Sequence, residues 1–420
     1  MEGREVSSKT LDQDHLKILV VCQHYWPEPF RFNDFCEELV KRGHEVHVLT
    51  GFPNYPEGAL YKGYEHGEHK EETYNSVQIH RCKIMPRKSG VVNRVLNYYS
   101  YALSSSFQII LNRIKPDYGG DFDVILCNQT SPVFMAEAAI KYKKLKNKKL
   151  VLYCYDLWPE SLLAGGIKEG SPIYNYFHRV SRQIYREADK ILVTSRAFKD
   201  YISAHFKIDE NRIEYLPQYG EAVFDEKPVG KTGSEENIHL VFAGNIGEVQ
   251  DIQTIAKAAE LLKEEEKIQF HIIGTGSYKE HIEQYVMDKH LNNMNFYGRI
   301  PIQEMIEYYK NASAMLITLR DIHVLGYTVP GKLQSYMAAG KPVIGAINGE
   351  SQKIIREAEC GLVVNSGDAE GLAEAIRKFA SLSYSERESL GKKARAYYDA
   401  NFSKDRFMNR LEEILREYSK

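Results

Sequence analysis

Apolar positions along this chain fall into blocks that switch between two periods, and the switches predict most of its elements. Lys17-Ile18-Leu19-Val20-Val21-Cys22 is a short, nearly continuous apolar run, the pattern of a buried strand. After an irregular loop from His24 to Phe30, apolar residues recur at Phe32, Phe35, Cys36, Leu39 and Val40. That i, i+3, i+4, i+7, i+8 spacing lays one stripe along a helix. Gly43 stops it, and Glu45–Thr50 reads as the next strand. Strand, helix and strand in that order open a parallel sheet. Further strands are predicted at Val124–Cys127, Leu150–Cys154 and Ile191–Thr194. Helical patterns lie among them near Asn93–Ile114, Pro132–Leu145 and Ile173–Ala188.

The scheme restarts in the second half. Ile238–Ala243 is a strand, Gly244-Asn245-Ile246-Gly247 a glycine loop, and Ile252, Ile255, Ala256 and Ala259 share a helix face. Strands recur at Phe270–Ile273, Asn295–Tyr297, Ala314–Thr318, Pro342–Ile344 and Leu362–Val364. The stretch from Leu216 to Gly233, rich in proline and glycine, reads as a linker. The fold class is therefore α/β, with two doubly wound parallel-sheet domains facing a cleft. Residues 1–16 are expected to be a flexible tail, 17–216 the first domain and 217–420 the second. Final helices near Ser385–Ala400 and Lys404–Tyr418 are expected to pack back on the first domain.

With 420 residues there is enough chain for two cores, and 27% charged residues is ordinary for a globular protein. No apolar run approaches the roughly 18 residues of a membrane span. The six cysteines show neither metal-ligand nor disulfide spacing and read as buried thiols of a cytoplasmic protein. A net charge of −2 excludes a general polyanion binder, and no nucleic-acid partner is expected. The distribution changes the picture more. Ser76–Pro116 carries seven basic residues and no acidic one, together with Tyr98, Tyr99, Tyr101 and Phe107. Such a segment suits a membrane surface. Six lysines between Lys141 and Lys149 read as a solvated helix end.

Candidate chemistry concentrates after strands. Pro330-Gly331-Lys332 opens a short helix whose first N–H groups can bind an anion. Lys332 opposes the helix dipole, a placement poor for folding and good for phosphate. Gly244, Asn245 and Gly247 form a second anion-friendly helix start in the same half. Tyr297 and Arg299 end a strand where an aromatic and a backbone edge could hold a base, or simply terminate the strand. Tyr327 and Thr328 lie in a loop placed to wrap a transferred group. No six-residue dinucleotide fingerprint follows a strand, so NAD or FAD is not expected. In the first half, Asp156-Leu157-Trp158-Pro159-Glu160 puts two carboxylates and an indole at a strand end. Trp158 reads as sugar-facing, Asp156 as a hydroxyl contact or proton acceptor, and Glu160 as a weaker one. Phe30, Arg31, Asn54 and Tyr55 follow strands on the same edge, whereas His44 and His47 read as structural.

These residues resemble the bacterial WbuB-like glycosyltransferases, of the retaining GT-B class and family 4-like. The resemblance runs from about Lys17 to the C-terminus. It rests on Trp26–Arg31, Arg42–Val46, Thr50–Pro56, Tyr61–Tyr64, Asp156–Ser161, Gly244–Gly247 and Pro330–Ile344. It implies two Rossmann-like domains, an acceptor on the first and a nucleotide sugar on the second. It implies retention of configuration and neither cofactor nor metal. The implied donor is a UDP-sugar, the implied acceptor a polyprenyl-diphosphate-linked saccharide at the inner face of the cytoplasmic membrane. Lys332 and Asp156 are then the catalytic candidates. Gly244, Asn245, Gly247, Tyr297, Arg299, Tyr327, Thr328, Gly331 and Ser335 would bind the donor; Phe30, Arg31, Asn54, Tyr55, Trp158 and Glu160 would bind the acceptor. The paired glutamates of related enzymes would fall at Tyr327 and Ser335, and neither is acidic. Two alternatives stay open: a UDP-sugar epimerase of similar architecture, and an inactive membrane-docked scaffold.

Overall fold

Two parallel sheets carry the chain in a computed structural model that describes residues 15–420 apart from 57, 88–90, 226, 227 and 231–235. Most of the tail expected over residues 1–16, and part of the linker expected up to Gly233, fall outside the described residues. The first sheet contains β1 (Lys17–Val21), β2 (Glu45–Gly51), β3 (Glu71–Tyr74), β4 (Val77–Cys82), β5 (Val124–Gln129), β6 (Lys149–Cys154), β7 (Lys190–Val193) and β8 (Ile213–Tyr215). Their order is β3-β4-β2-β1-β5-β6-β7-β8, and only the β3–β4 pair is antiparallel. The second sheet contains β9 (Ile238–Ala243), β10 (Ile268–Ile273), β11 (Met294–Gly298), β12 (Ala314–Thr318), β13 (Val343–Ala346) and β14 (Gly361–Val364). It runs β11-β10-β9-β12-β13-β14, parallel throughout.

Strand order reverses between β1 and β5 in one sheet and between β9 and β12 in the other. Loops leaving those strands open the crevice in which ligands of such sheets bind. Each sheet is covered on both faces. Leu19 and Val21 enter one core while Ile18 and Val20 enter the other, as alternation along a strand requires. The chain end divides between the cores. The helix Tyr384–Asn401 gives Ala394 and Tyr398 to the second sheet's core. The last helix, Lys404–Glu417, returns Phe407, Met408, Leu411 and Leu415 to the first.

The hairpin β3–β4 was not expected. Its turn residues Asn75 and Ser76 have φ of 46° and 65°, as a tight two-residue hairpin turn requires. β4 lies inside the basic stretch, and Val77 and Ile79 alternate with polar Gln78 and His80. It buries Arg81 to 1% exposure against the Glu72 carboxylate, so Arg81 faces no membrane. The helix from Val91 to Ile110 turns Tyr101 inward, where its hydroxyl donates to the Cys22 and Leu49 carbonyls. Its opposite face leaves Leu96, Leu103, Phe107 and Ile110 exposed, Leu103 to 70%.

Candidate active site

The second sheet's crevice is built by glycines at three successive strand ends. Gly244 (φ 148°), Gly274 (φ 136°) and Gly298 (φ 69°) terminate β9, β10 and β11. The Gly244 N–H donates to the Ile273 carbonyl at 2.9 Å and the Gly274 N–H to Gly298 at 2.7 Å. A Cβ on Gly274 would overlap the Gly244 carbonyl, so these turns can stack only as glycine. Beside them is a cavity of about 300 Å³ lined by Glu221, Gly244, Asn245, Thr275, Arg299 and Tyr309, among others.

Lys332 comes up under this loop. It lies in the first turn of the helix Gly331–Ala338, whose N-cap, Pro330, supplies no side-chain acceptor. Its amine donates to the Gln250 side-chain oxygen and lies 4.0 Å from the centre of the Phe242 ring. A Cβ on Gly244 would meet that amine at 3.3 Å, which sets how closely lysine and loop approach. No carboxylate pairs with Lys332 among the described residues. Although the residue keeps some exposed surface, burial of the amine pulls its pKa down to about 7. A cation without a counter-ion at a helix start is an anion site by chemistry as well as by dipole.

A bridge from the first sheet closes over this helix. Arg31 donates to the Tyr219 carbonyl and, at 2.9 Å, to Glu221 Oε1. Ser335 donates its hydroxyl to the other Glu221 oxygen. Ser335, where related enzymes carry an acid, therefore has a carboxylate supplied by the linker. A Cβ at Gly331 would stand 3.3 Å from the Arg31 guanidinium, so the helix start and the arginine are in close contact.

On the first sheet, His24 and Glu28 form a buried pair at the end of β1. The ring Nδ1 lies 3.0 Å from Glu28 Oε2, while Glu28 Oε1 accepts the Asn54 and Tyr55 N–H groups at 2.8 and 2.7 Å. Glu28 thereby ties the β1 loop to the β2 loop. Nδ1 faces a carboxylate and so carries a hydrogen. Phe30 stacks on His24 at 5.3 Å, and Tyr55 lies against both rings. Asp156 accepts from the Ser131 hydroxyl at 2.7 Å; burial pushes its carboxyl pKa up despite that bond.

Several expected contacts are placed elsewhere. Trp158 is 4% exposed, donates its indole N–H to Ser131 at 2.9 Å and packs on Phe177, so it is core and buttresses Asp156. Glu160 is enclosed by the hydroxyls of Tyr174 and Tyr201. Asn54 is fully buried, its oxygen accepting the Arg87 N–H at 2.9 Å. Tyr297 leaves the Gly244 cavity for the sheet face, where its hydroxyl meets His271 Nδ1 at 2.7 Å. Tyr327 lines a separate cavity of about 540 Å³ with Tyr201 and Asn348, and the neighbouring Thr328 carbonyl accepts the Ser351 hydroxyl at 3.2 Å. Gly247 sits behind Asn245. His24, Glu28, Glu221 and Gln250 were missed. Glu28 alone carried a sequence signal, a carboxylate between two prolines after a strand.

Comparison with known proteins agrees with this geometry. Residues 31–218 match the family model Glycosyltransferase Family 4, and residues 224–397 match Glycosyl transferases group 1. The chain is 25% identical over 350 residues to the putative colanic acid biosynthesis glycosyl transferase WcaI of Escherichia coli K12, covering 77% of this chain and 82% of WcaI. It is 26% identical over 336 residues to the probable glycosyltransferase WbjE of Pseudomonas aeruginosa, covering 77% and 80%. Among solved structures, Anabaena HepE with UDP and glucose superposes with a TM-score of 0.66 at 14% identity, over 96% of this chain and all of HepE. The chain is a glycosyltransferase of GT-B fold, with a family 4-like domain followed by a group 1 domain.

Proposed function

We propose that this glycosyltransferase moves a sugar from a UDP-sugar to a polyprenyl-diphosphate-linked saccharide during assembly of a surface polysaccharide. Transfer retains configuration and uses no metal ion, in line with the WbuB-like resemblance. The names of WcaI and the HepE complex with UDP support the pathway class and the donor. One observation carries the reading: the buried Lys332 amine, with no acid partner, beneath the Gly244 loop. A diphosphate in the neighbouring cavity would supply the missing counter-ion and stabilise the departing UDP. Glu221, beside Ser335, would take donor hydroxyls where related enzymes use a glutamate of the helix. Asp156 would orient an acceptor or donor hydroxyl across the cleft. The exposed apolar face of the Val91–Ile110 helix, flanked by Arg87 and Arg113, would rest on the anionic inner membrane surface, where the acceptor lies.

Incubation with UDP-sugars and polyprenyl-diphosphate-linked saccharides tests the reading, with NMR following the product's anomeric configuration. Transfer with retention, at a rate that added Mg²⁺ or Mn²⁺ does not change, is expected. An inverted product would refute the mechanism, and release of an epimer without acceptor would establish the epimerase instead.

A further inference from the structure

At the N-terminal ends of the first sheet's strands, opposite the cleft, lies a polar cluster that sugar transfer does not use. Glu45 and His47 are the first and third residues of β2, and their side chains are 7% and 1% exposed. His80 projects from β4, Asp117 precedes β5, and His15 precedes β1. His47 Nε2 lies 2.9 Å from Glu45 Oε1 and 3.9 Å from Asp117 Oδ1. Its other nitrogen, Nδ1, lies 2.9 Å from His80 Nε2, and His80 Nδ1 meets the Glu71 carboxylate. The Asp117 N–H also donates to Glu45 Oε1, at 2.5 Å, which brings the Asp117 carboxylate to the cluster.

Counting hydrogens exposes a deficit. The contacts Glu71–His80, His80–His47 and His47–Glu45 are three links in a row, each needing one hydrogen between two lone-pair atoms. Two neutral imidazoles bring two. When His80 donates to Glu71 and His47 donates to His80, the bare lone pair of His47 Nε2 points at a carboxylate oxygen 2.9 Å away. Either a third hydrogen on one imidazole or a metal cation must lie between them. A second deficit lies alongside. Glu45 Oε2 is buried without a hydrogen-bond partner, and so is His15 Nε2, 4.0 Å from it.

We propose that Glu45, His47 and Asp117 bind a zinc ion, with the His80–Glu71 pair fixing the His47 ring from behind. Mixed imidazole and carboxylate ligands suit Zn²⁺, whereas Ca²⁺ and Mg²⁺ take oxygen alone. Tetrahedral zinc with ordinary bond lengths holds its ligand atoms about 3.3 Å apart. The observed 2.9 and 3.9 Å bracket that spacing, and one atom from each of the three residues lies within 4.8 Å of the others. An acceptor on the ligand's other nitrogen locks its tautomer, and here His80, held in turn by Glu71, takes that place. The ion would staple β2 to the loop before β5 and, through His80, to the edge hairpin. It serves the fold and takes no part in the transfer.

The test is a titration of the full-length, chelator-stripped protein with Zn²⁺ in a calorimeter, paired with thermal unfolding. One equivalent bound per chain and a rise in Tm of several degrees are expected. Asp117→Asn alters an exposed side chain that the fold does not need, and should weaken zinc at least tenfold without changing the Tm of the metal-free protein. His47→Gln should abolish binding. Saturable binding of equal affinity in wild type and both variants would overturn the assignment. So would the absence of binding to wild type, which would make the missing link a proton on one imidazole.

Discussion

Two lysines nine residues apart show what a side chain's surroundings decide. Lys332 and Lys341 belong to one motif, and burial pulls each down to a pKa of about 7. Lys341 donates to the Lys310 and Ala312 carbonyls at a helix end, at 3.1 and 3.3 Å, and is structural. Lys332 meets one amide oxygen and an aromatic face, and no acidic side chain among the described residues neutralises its charge. Lys332→Met should therefore lower turnover by about 10²–10³-fold, with circular dichroism and Tm unchanged. Binding of UDP should raise the Lys332 pKa, so the complex takes up a proton above pH 7. The sign follows from linkage: affinity is full below pH 7 and weakens by at most about tenfold per unit above it. Calorimetry of UDP in buffers of different ionisation enthalpy checks this; no proton uptake at pH 8 would contradict it. Lys332 was legible because a lysine at a helix start conflicts with the dipole. Trp158, Glu160 and Asn54 were not legible as buried, because a polar or amphipathic residue after a strand looks the same whether it faces solvent or two tyrosines.

Among elements, the stacked glycine turns have the least tolerance. Gly274→Ala would put a Cβ into the Gly244 carbonyl at a φ no side chain adopts comfortably. Destabilisation of about 2–4 kcal/mol is expected, read by urea unfolding. The Val91–Ile110 helix makes the opposite prediction. Leu103 and Phe107 carry little of the core, being 70% and 55% exposed. Leu103→Glu with Phe107→Glu should leave Tm within a few degrees and reduce sedimentation with anionic liposomes several-fold. Undiminished sedimentation would move the docking face elsewhere. Helix and strand periods placed most long elements within a few residues. Hairpin β3–β4 escaped because its four- and six-residue strands are half polar, and an edge strand needs no continuous apolar run.

At the scale of the whole molecule, polar bridges join the halves, and two of them flank the cleft. Arg31 links the first helix to Glu221 and so to Ser335. Arg196 reaches Glu350 at 2.5 Å and Glu357 at 2.9 Å on the far side of the 540 Å³ cavity. Glu350 is 3% exposed, so losing its partner strands a buried charge. A double-mutant cycle of Arg196→Ala and Glu350→Ala should return a coupling of about 0.5–3 kcal/mol in thermal or urea unfolding. Additive losses would mean that the bridge does not hold the halves together. The last helix adds an apolar bond of the same kind, Phe407 packing 5.1 Å from Tyr219 and 5.7 Å from Phe35.

The sequence alone determines that this is a doubly wound α/β chain of two similar halves, and that Lys332 sits in the first turn of a helix. Those features are written in period, spacing and local charge, which a linear string displays. Only the tertiary structure decides that Glu221 serves Ser335, that Glu28 ties the β1 loop to Asn54 and Tyr55, and that Glu45, His47 and Asp117 converge behind the sheet. Each of these brings together residues from different strands or loops, and their distance is set by strand order and register. A carboxylate's role depends on what desolvates it and what donates to it, and neither is visible until the sheet is assembled.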